Sequence, residues 1–261
     1  MNSFKIFYSI SNVPESKGHN HVGLAYSGFT PRPGRVLNRK GESMLKEYRT
    51  VYIGREAETV EKKSRFIATV QPVKTEEEAL EFIEKMKKQY WNATHNCYAY
   101  VLGERFQTQR CSDDGEPQGT AGKPMLDVLL GEEIHDVAVV VTRYFGGTLL
   151  GTGGLVRAYS KSVQEGLLAS KIITKIYGCK LRIETDYTGL GKIQYILGQR
   201  GLTVLDSEYT DKVKIEVLLP SEEADPVIGE ITEGTNGQAE MEIGETCWFA
   251  KIDGEMKVFD N

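Results

Sequence analysis

An apolar run followed by a cluster of glycines restricts the fold of this chain more than any other feature. Residues 137–141 are VAVVV, without the alternation of a strand that has one solvent-facing side, and this predicts a central strand of a sheet. Five glycines then fall within the nine positions 146–154. A helix that ends near Ser170 is predicted next, because apolar residues recur at helical spacing at Val156, Tyr159, Val163 and Leu167. We therefore expect the glycines to link a central strand to a helix.

The rest of the segment from residue 44 to 176 predicts one domain of strands and helices. Strands are predicted at YRTVYIG, SRFIATVQPV and HNCYAYVLG, and a short helix at GTAGKPMLDVLLG. A longer helix is predicted between Thr75 and Tyr90, since Thr75 and Glu78 have the spacing of a capping box. The helix's apolar residues recur three and four positions apart, at Ala79, Phe82, Ile83 and Met86.

A second domain is predicted for residues 177–261, after a short bridge around 171–178. Its predicted elements are the strand CKLRIETD, the helix TGLGKIQYILGQRG, the hairpin LTVLDSEYTDKVKIEVLLP, the helix EEADPVIGEITEG and the strand QAEMEIGE. This βαββαβ order is typical of the ferredoxin-like fold, which needs no cofactor. The tail after Trp248 is compatible with an edge strand or with a loose end. The predicted fold class of the whole chain is α+β.

Residues 1–43 are predicted to form a disordered extension that is not native. They are rich in Pro, Gly, Ser and Asn and show no sustained period. Residues 40–42 can be encoded by AAAGGAGAA, which contains a bacterial ribosome-binding sequence just before the codon for Met44. We therefore expect translation to start at Met44, and N-terminal mass spectrometry of the native protein tests this.

Charge is distributed unevenly along the chain. The net charge of −5 results from +4 in residues 1–43, zero in residues 44–176 and −9 in residues 177–261. Phosphate backbones are held mainly by lysine and arginine, so a nucleic acid would have to meet a local basic patch in the middle segment.

The composition predicts a cytoplasmic protein without a membrane segment, metal or cofactor. The longest strongly apolar run, residues 137–141, is far shorter than the roughly 20 residues that cross a bilayer, and no apolar secretory signal is recognisable. The four cysteines are widely spaced and form no CxxC pair. We therefore expect reduced, structural thiols rather than a zinc site or a disulfide framework.

The glycine cluster allows two uses. A glycine-rich turn before a helix leaves backbone N–H groups free to bind a phosphate, and it also permits close packing of strand and helix. The chain lacks GxxxxGK[ST] and lacks GxGxxG with its acidic partner, so neither a Walker loop nor a Rossmann site is supported. The residues predicted to bind phosphate or nucleic acid are Arg143, Tyr144, Gly146, Gly147, Gly151, Gly153, Gly154 and Arg157.

Arg157 indicates that a negative group lies near this cluster. It falls at the start of the predicted helix, where the helix dipole makes a cation unfavourable by about 0.3–1 kcal/mol. An internal partner is available in an acidic loop that contains Asp113, Asp114, Glu116 and Lys123. An external phosphate or an RNA backbone shared by Arg143 and Arg157 is the other alternative, and the sequence leaves both open.

No catalytic residue is identified from the sequence. Cys111 with His95 or His135 could form a thiolate pair, but no spacing typical of a nucleophilic enzyme supports it. The acids at 113–116 could bind magnesium through oxygen, but the loop does not match an EF-hand. We expect structural roles for these side chains.

Two adjacent segments give the chain a family resemblance. CSDDGEPQGTAGKPML followed by VAVVVTRYFGGTLLGTGGLVRAY resembles the signature of the IMPACT/YigZ family, and THNCYAYVLG resembles its upstream strand. The resemblance implies a first domain similar to the second domain of a small-subunit ribosomal protein and to GHMP kinases. It implies a second domain similar to the last domain of elongation factor EF-G. Eukaryotic relatives regulate translation through an additional RWD domain that is absent here, so that role does not carry over.

Our leading hypothesis is a non-enzymatic, translation-associated regulatory protein. It would bind RNA or the ribosome through the glycine cluster and its arginines, or bind a translation-related protein. One alternative is an enzyme that acts on a phosphorylated small molecule. A protein-interaction module is another alternative, which the acidic second domain would suit.

Overall fold

The structure is a computed structural model that describes residues 35–37 and 43–259, with side chains from Leu45 onward. Its chain divides into two compact units. The first unit consists of Glu47–Ile176 and Ala250–Lys257, and the second consists of Tyr177–Phe249 with the remaining described residues. The domain limits expected from the sequence, at residues 44, 177 and 261, stay predictions.

The extension predicted for residues 1–43 falls largely outside the described residues. Within it, β1 (Arg35–Leu37) pairs antiparallel with β2 (Ser43–Leu45). Three residues thus form a short strand in a segment for which the sequence predicts no regular structure.

The first unit contains seven complete strands and three of the helices of the described chain. Its elements are β3 (Glu47–Ile53), β4 (Glu56–Glu61), β5 (Ser64–Pro72), α1 (Glu76–Gln89), β6 (His95–Leu102), β7 (Thr108–Ser112), α2 (Gly122–Gly131), β8 (Ile134–His135), β9 (Val137–Tyr144), α3 (Thr152–Ala169) and the first residues of β10 (Lys171–Thr185).

A five-stranded sheet with the order β4-β5-β9-β6-β7 forms the centre of the first unit, and its neighbouring strands are antiparallel. The apolar strand β9 occupies the middle, so the prediction of a central strand is confirmed. Val137, Val139 and Val141 contribute to the core on one side of the sheet. Ala138 and Val140 contribute to the core on the other side. A strand that is covered on both sides has no polar positions to alternate, which explains its sequence.

Helices cover both faces of this sheet. α2 and α3 supply Met125, Leu129, Tyr159 and others to one core, and α1 packs against the opposite face through its predicted apolar stripe. Burying a side chain the size of Phe82 contributes about 1.5–3 kcal/mol.

The cap of α1 departs slightly from a capping box: Thr75 Oγ1 accepts the Glu78 N–H at 3.2 Å, while Glu78 accepts the N–H of Lys74 rather than that of Thr75.

The bridge predicted at 171–178 is wrong, because these residues belong to β10. Lys171–Ile176 pairs antiparallel with β3, which also pairs in parallel with β8. Pairing with a strand more than 100 residues earlier decides this segment, and such a contact is invisible to local periodicity.

The second unit has the predicted βαββαβ order. After β10 its elements are α4 (Tyr187–Gln199), β11 (Thr203–Tyr209), β12 (Val213–Pro220), a short 3-10 turn (Ser221–Glu223), α5 (Ala224–Gly234) and most of β13 (Glu240–Ile252). The end of β13 and most of β14 (Glu255–Phe259) belong to the first unit. The strand order β11-β12-β10-β13 is that of a ferredoxin-like sheet. Ile193, Ile196 and Ile231 from the two helices pack on alternate residues of β10 and β12.

The α+β fold class is confirmed, since each unit combines helices with a mainly antiparallel sheet. None of the helices in the described part of the chain is both long enough and apolar enough to span a membrane.

Candidate functional site

The predicted glycine cluster lies at one end of the five-stranded sheet. In the strand register, Arg65 at the start of β5 lies opposite Tyr144, and His95 at the start of β6 lies opposite Arg143. The end of β9, the β4–β5 turn and the start of β6 therefore meet there, and we call this region the sheet end. The acidic loop after β7 joins it through Glu116, which contacts Arg143.

Close packing requires one of the glycines in the cluster. A Cβ at Gly146 would lie 2.0 Å from the carbonyl carbon of Lys63, so no other residue fits without moving the backbone. The Gly146 N–H donates to Ser64 Oγ at 3.1 Å. Gly147 and Gly151 have φ of +81° and +72°, which favour glycine. At Gly146 the cluster is therefore a packing device, and its N–H is already used.

The remaining glycines of the cluster begin α3. Gly151 is the N-cap and has no side chain to cap the helix, and Gly153 and Gly154 follow in the first turn. Because the helix starts at Thr152, Arg157 lies in its second turn rather than its first. The dipole penalty on Arg157 is smaller there, since the effect falls off within the first turn.

Arg143 has an internal partner. Its Nη1 donates to Glu116 Oε1 at 2.5 Å, and both residues are buried. Glu116 Oε1 also accepts the hydroxyl of Tyr159 at 2.9 Å. Only 5% of Arg143 is exposed, so its guanidinium holds the acidic loop against the sheet end and is not accessible to a large ligand. Of the two alternatives for Arg143, an internal acidic partner and an external phosphate, the structure contains the internal ion pair.

The other acidic residues of the loop are used locally. Asp113 accepts the N–H groups of Gly119, Ala121 and Gly122, which organises the start of α2. Burial raises the pKa of Asp113, but these three donors outweigh it and leave the pKa below its usual value.

Asp114 and Lys123 have partners as well. The carboxylate of Asp114 accepts the N–H of Asn96 at 2.6 Å. Lys123, at the beginning of α2, pairs with Asp127 one turn later. The acidic loop therefore folds on itself and on β6, and it reaches α3 through Glu116 and Tyr159. No ion pair joins it to Arg157 among the described residues.

The structure gives Cys111, His95 and His135 separate surroundings, in keeping with the structural roles expected for them. Cys111 is exposed, and burial and the Asp113 charge raise its pKa. His95 Nδ1 instead lies 2.8 Å from the carbonyl oxygen of Asp114, and His135 stacks on Phe106. No group of three or more potential metal ligands occurs in the part of the chain that the structure describes.

One buried thiol lies in the network around Glu116. Cys97 Sγ lies 3.0 Å from the carbonyl oxygen of Asp113 and 3.3 Å from the Tyr159 hydroxyl. Burial raises the pKa values of both Cys97 and Tyr159. These groups stay protonated near neutral pH, which suits a structural hydrogen-bond network rather than a nucleophile.

Arg157 lies in a different environment from Arg143. It is exposed and lines a depression of about 230 Å³ together with Lys62 and Lys161. Glu61 is the one acidic residue in that lining. Over the described ranges, none of the three cations has a carboxylate within 4.0 Å. With Lys63, which adjoins Gly146, they form a group of unpaired cations that we call the cationic surface (Lys62, Lys63, Arg157 and Lys161).

The turn that supplies two of these cations is conformationally strained. Lys62 and Lys63 connect β4 and β5 as a two-residue hairpin with φ of +45° and +69°. Positive φ at both positions defines a type I′ turn, which normally contains Asn and Gly. Lysines in this conformation cost of order 1 kcal/mol or more each. The sequence did not indicate Lys62, Lys63 or Lys161 as site residues, because Lys-Lys lacks the Asn or Gly that marks a type I′ turn.

Tyr144, the remaining predicted site residue, is half-buried at the sheet end. Its hydroxyl donates to Asn92 Oδ1 at 3.1 Å, and the Arg65 guanidinium lies 5.6 Å from the centre of its ring. It therefore connects the loop after α1 to the end of β9.

Comparisons with known proteins cover both units. Residues 62–167 match the model of the Impact N-terminal domain, and residues 183–238 match that of a domain of unknown function, DUF1949. IMPACT family member YvyE from Bacillus subtilis is 45% identical over 82% of this chain and 99% of its own length. The chain belongs to the IMPACT family.

Two further relatives of this IMPACT family member have similar coverage. YigZ from Escherichia coli is 36% identical over 69% of this chain and 89% of its own length. A solved structure described as a hypothetical protein is 32% identical and has a TM-score of 0.50, covering 77% of this chain and 99% of that one. The match to the Impact N-terminal domain includes the cationic surface and the acidic loop of this family member.

Proposed function

We propose that this IMPACT family protein binds RNA, including ribosomal RNA, through the cationic surface, and acts in the cytoplasm in association with translation. The observation that carries the proposal is the convergence of Lys62, Arg157 and Lys161 on one depression, with no carboxylate partner for any of them in the described part of the chain. Unpaired cations that repel one another are unfavourable unless an anion is bound, and a phosphate backbone supplies regularly spaced anions.

The group of cations does not result from a general excess of basic residues in the first domain. Residues 44–176 carry no net charge, yet the sheet end presents four cations together. The strained Lys62–Lys63 turn supports the same interpretation, since strain persists at functional sites where another residue would be more stable. The predicted role of Arg143 changes from a direct phosphate contact to holding the acidic loop, because Glu116 occupies it.

RNA binding is tested with matched charge variants. We expect a labelled RNA stem-loop to bind with an affinity that falls as salt increases. The triple variant Lys62→Ala, Arg157→Ala, Lys161→Ala should bind at least about tenfold more weakly, and its log-log salt slope should decrease by about 2. Fluorescence anisotropy across a salt series measures both quantities.

The control has the same net charge. Lys74, Lys85 and Lys88 are exposed lysines at the beginning of α1 and along it, and the triple alanine variant at these positions should match the wild type. Equal losses in the two triple variants would mean that only net charge matters, and would remove the cationic surface from the function. Co-sedimentation of both variants with ribosomes at low salt extends the test to ribosomal RNA.

A phosphorylated small molecule is the second candidate ligand, and the depression beside Arg157 favours it. Its volume of about 230 Å³ is below the roughly 300–1,000 Å³ of most small-molecule pockets, but could receive a phosphate group. A ligand that binds the folded state raises the melting temperature by mass action. A shift with a nucleotide or sugar phosphate that disappears in the Arg157→Ala variant would favour this candidate over RNA.

A further inference from the structure

Exposed apolar side chains concentrate at the same end of the sheet as the cationic surface. Between residues 47 and 176 of the described chain, seven large apolar side chains are exposed, and four of them lie at the sheet end: Val60, Trp91, Phe145 and Leu149. Trp91 is 81% exposed, Phe145 47% and Leu149 83%. Single exposed apolar residues are ordinary on a protein surface, but a group that includes two aromatic rings beside cations indicates a binding surface.

Backbone and side-chain hydrogen bonds hold the Trp91 segment against the end of β9. The N–H of Thr94 donates to the carbonyl oxygen of Arg143 at 2.9 Å, and the N–H of Phe145 donates to Thr94 Oγ1 at 3.1 Å. The Tyr144 hydroxyl donates to Asn92, the neighbour of Trp91. Trp91 and Phe145 are therefore carried by two segments tied together by three hydrogen bonds.

Phe145 adjoins the glycine cluster, and the cluster contacts the turn that carries two of the cations. Phe145 immediately precedes Gly146, which packs on the backbone of Lys63. One side of the Phe145 ring contacts Arg143, whose guanidinium lies 5.7 Å from the ring centre, and about half of the residue stays exposed. The Lys62–Lys63 turn thus lies next to the residue that follows Phe145, and the three hydrogen bonds keep the segment of Trp91 at the end of β9.

We infer that the sheet end binds unpaired RNA, with bases stacked on Trp91 and Phe145 and with phosphates on the cationic surface. This inference rests on the proposed function and specifies the class of RNA. Cations and exposed aromatic rings at one end of a sheet are the combination that single strands use, because every unpaired base offers a flat face for stacking. A duplex keeps these faces inside its own stack, so it could use the cations but not the rings.

The test uses the two tryptophans of the chain. Trp248 is 7% exposed and lies in the second unit, so quenching by a stacked base reports on Trp91. An unlabelled single-stranded oligouridine of about 12 nucleotides, within the range that a small single-strand-binding domain covers, should quench the emission. A duplex RNA of equal length should quench it little. The Trp91→Phe variant should lose the quenching and keep most of the affinity.

Alanine variants separate stacking from charge. Trp91→Ala and Phe145→Ala should each weaken binding of the single strand about tenfold and leave binding of the duplex unchanged. Tyr195→Ala, at an exposed tyrosine of the second unit, is the matched control and should change neither. Trp91 is largely exposed, so its replacement should not unfold the protein.

The outcomes distinguish this inference from the proposed function. If single strand and duplex bind equally and Trp91→Ala weakens neither, the stacking inference is overturned while salt-sensitive RNA binding stands. If neither form of RNA binds, both are overturned. If the alanine variants instead change only self-association of the protein, the aromatic residues form a protein interface and the inference is wrong.

Discussion

Arg143 and Arg157 flank the same glycine cluster, but only one of them can be reached by a ligand. Arg143 is the seventh residue of β9 and lies on the same side of the sheet as Val139 and Val141, so it points into the core and needs an internal anion. Glu116 supplies that anion. Arg157 lies on the outer side of α3, where no core forces such a pairing.

We predict that Glu116→Gln destabilises the fold strongly. The change leaves the guanidinium of Arg143 buried without a counter-charge, and breaking a buried pair in this way costs about 3 kcal/mol or more. Urea denaturation followed by circular dichroism measures the loss in free energy of unfolding.

An exposed pair provides the matched control for this variant. Glu58 likewise pairs with an arginine, Arg65, from which it accepts two hydrogen bonds at the protein surface. Glu58→Gln should leave the unfolding midpoint almost unchanged, since solvent screens exposed pairs. Similar losses in the two variants would contradict a buried, structural role for Glu116.

At the scale of elements, the β4–β5 turn and the glycine cluster depend on each other. Gly146 approaches the backbone of Lys63 so closely that the turn and the segment after β9 fit only as a pair. The turn retains lysines where Asn-Gly would match its φ angles better. A residue choice that lowers stability is expected where function selects it.

Replacing Lys62-Lys63 by Asn-Gly should therefore raise stability and lower RNA affinity. We expect a gain of about 1–2 kcal/mol from relief of the positive φ angles, measured by thermal and urea unfolding. RNA affinity should fall by about tenfold, because two phosphate contacts are lost. A variant that is more stable and binds RNA as well as the wild type would show that the turn lysines do not bind RNA.

At the scale of the whole molecule, acidic residues with lowered pKa values stabilise both units. Asp113 in the first unit is held by three backbone N–H donors. In the second unit, burial raises the pKa of Glu216, but hydrogen bonds from Arg182 and Lys180 leave it below its usual value. Each carboxylate is therefore stabilised in the folded state relative to the unfolded chain.

Acid should consequently destabilise the protein below about pH 4. A carboxyl group with a depressed pKa contributes its full stability above its unfolded pKa, here 3.8 for Asp113, and loses it as the pH falls through the folded value. Urea midpoints between about pH 7 and pH 3 measure this. Asp113→Asn should lower stability at neutral pH and make the acid loss less steep, and an unchanged slope would contradict the role of Asp113.

The amino-acid sequence by itself determined the elements whose signal is local. The apolar β9 and the stripe of α1 follow from the side-chain pattern, which depends on neighbouring residues only. The βαββαβ order of the second unit likewise followed from the strands and helices that local patterns predict there. The same local signals failed for residues 171–178, where pairing with β3 decides the conformation.

Only the tertiary structure decided which charged residues form the site. The sequence placed two arginines and three acids near the glycine cluster, but the partners of Arg143 lie 27 and 79 positions away, at Glu116 and Ser64. The strand order brings them together and leaves Arg157 of α3 beside Lys62 of the β4–β5 turn. Pairing over such distances depends on sheet topology, and no local pattern encodes it.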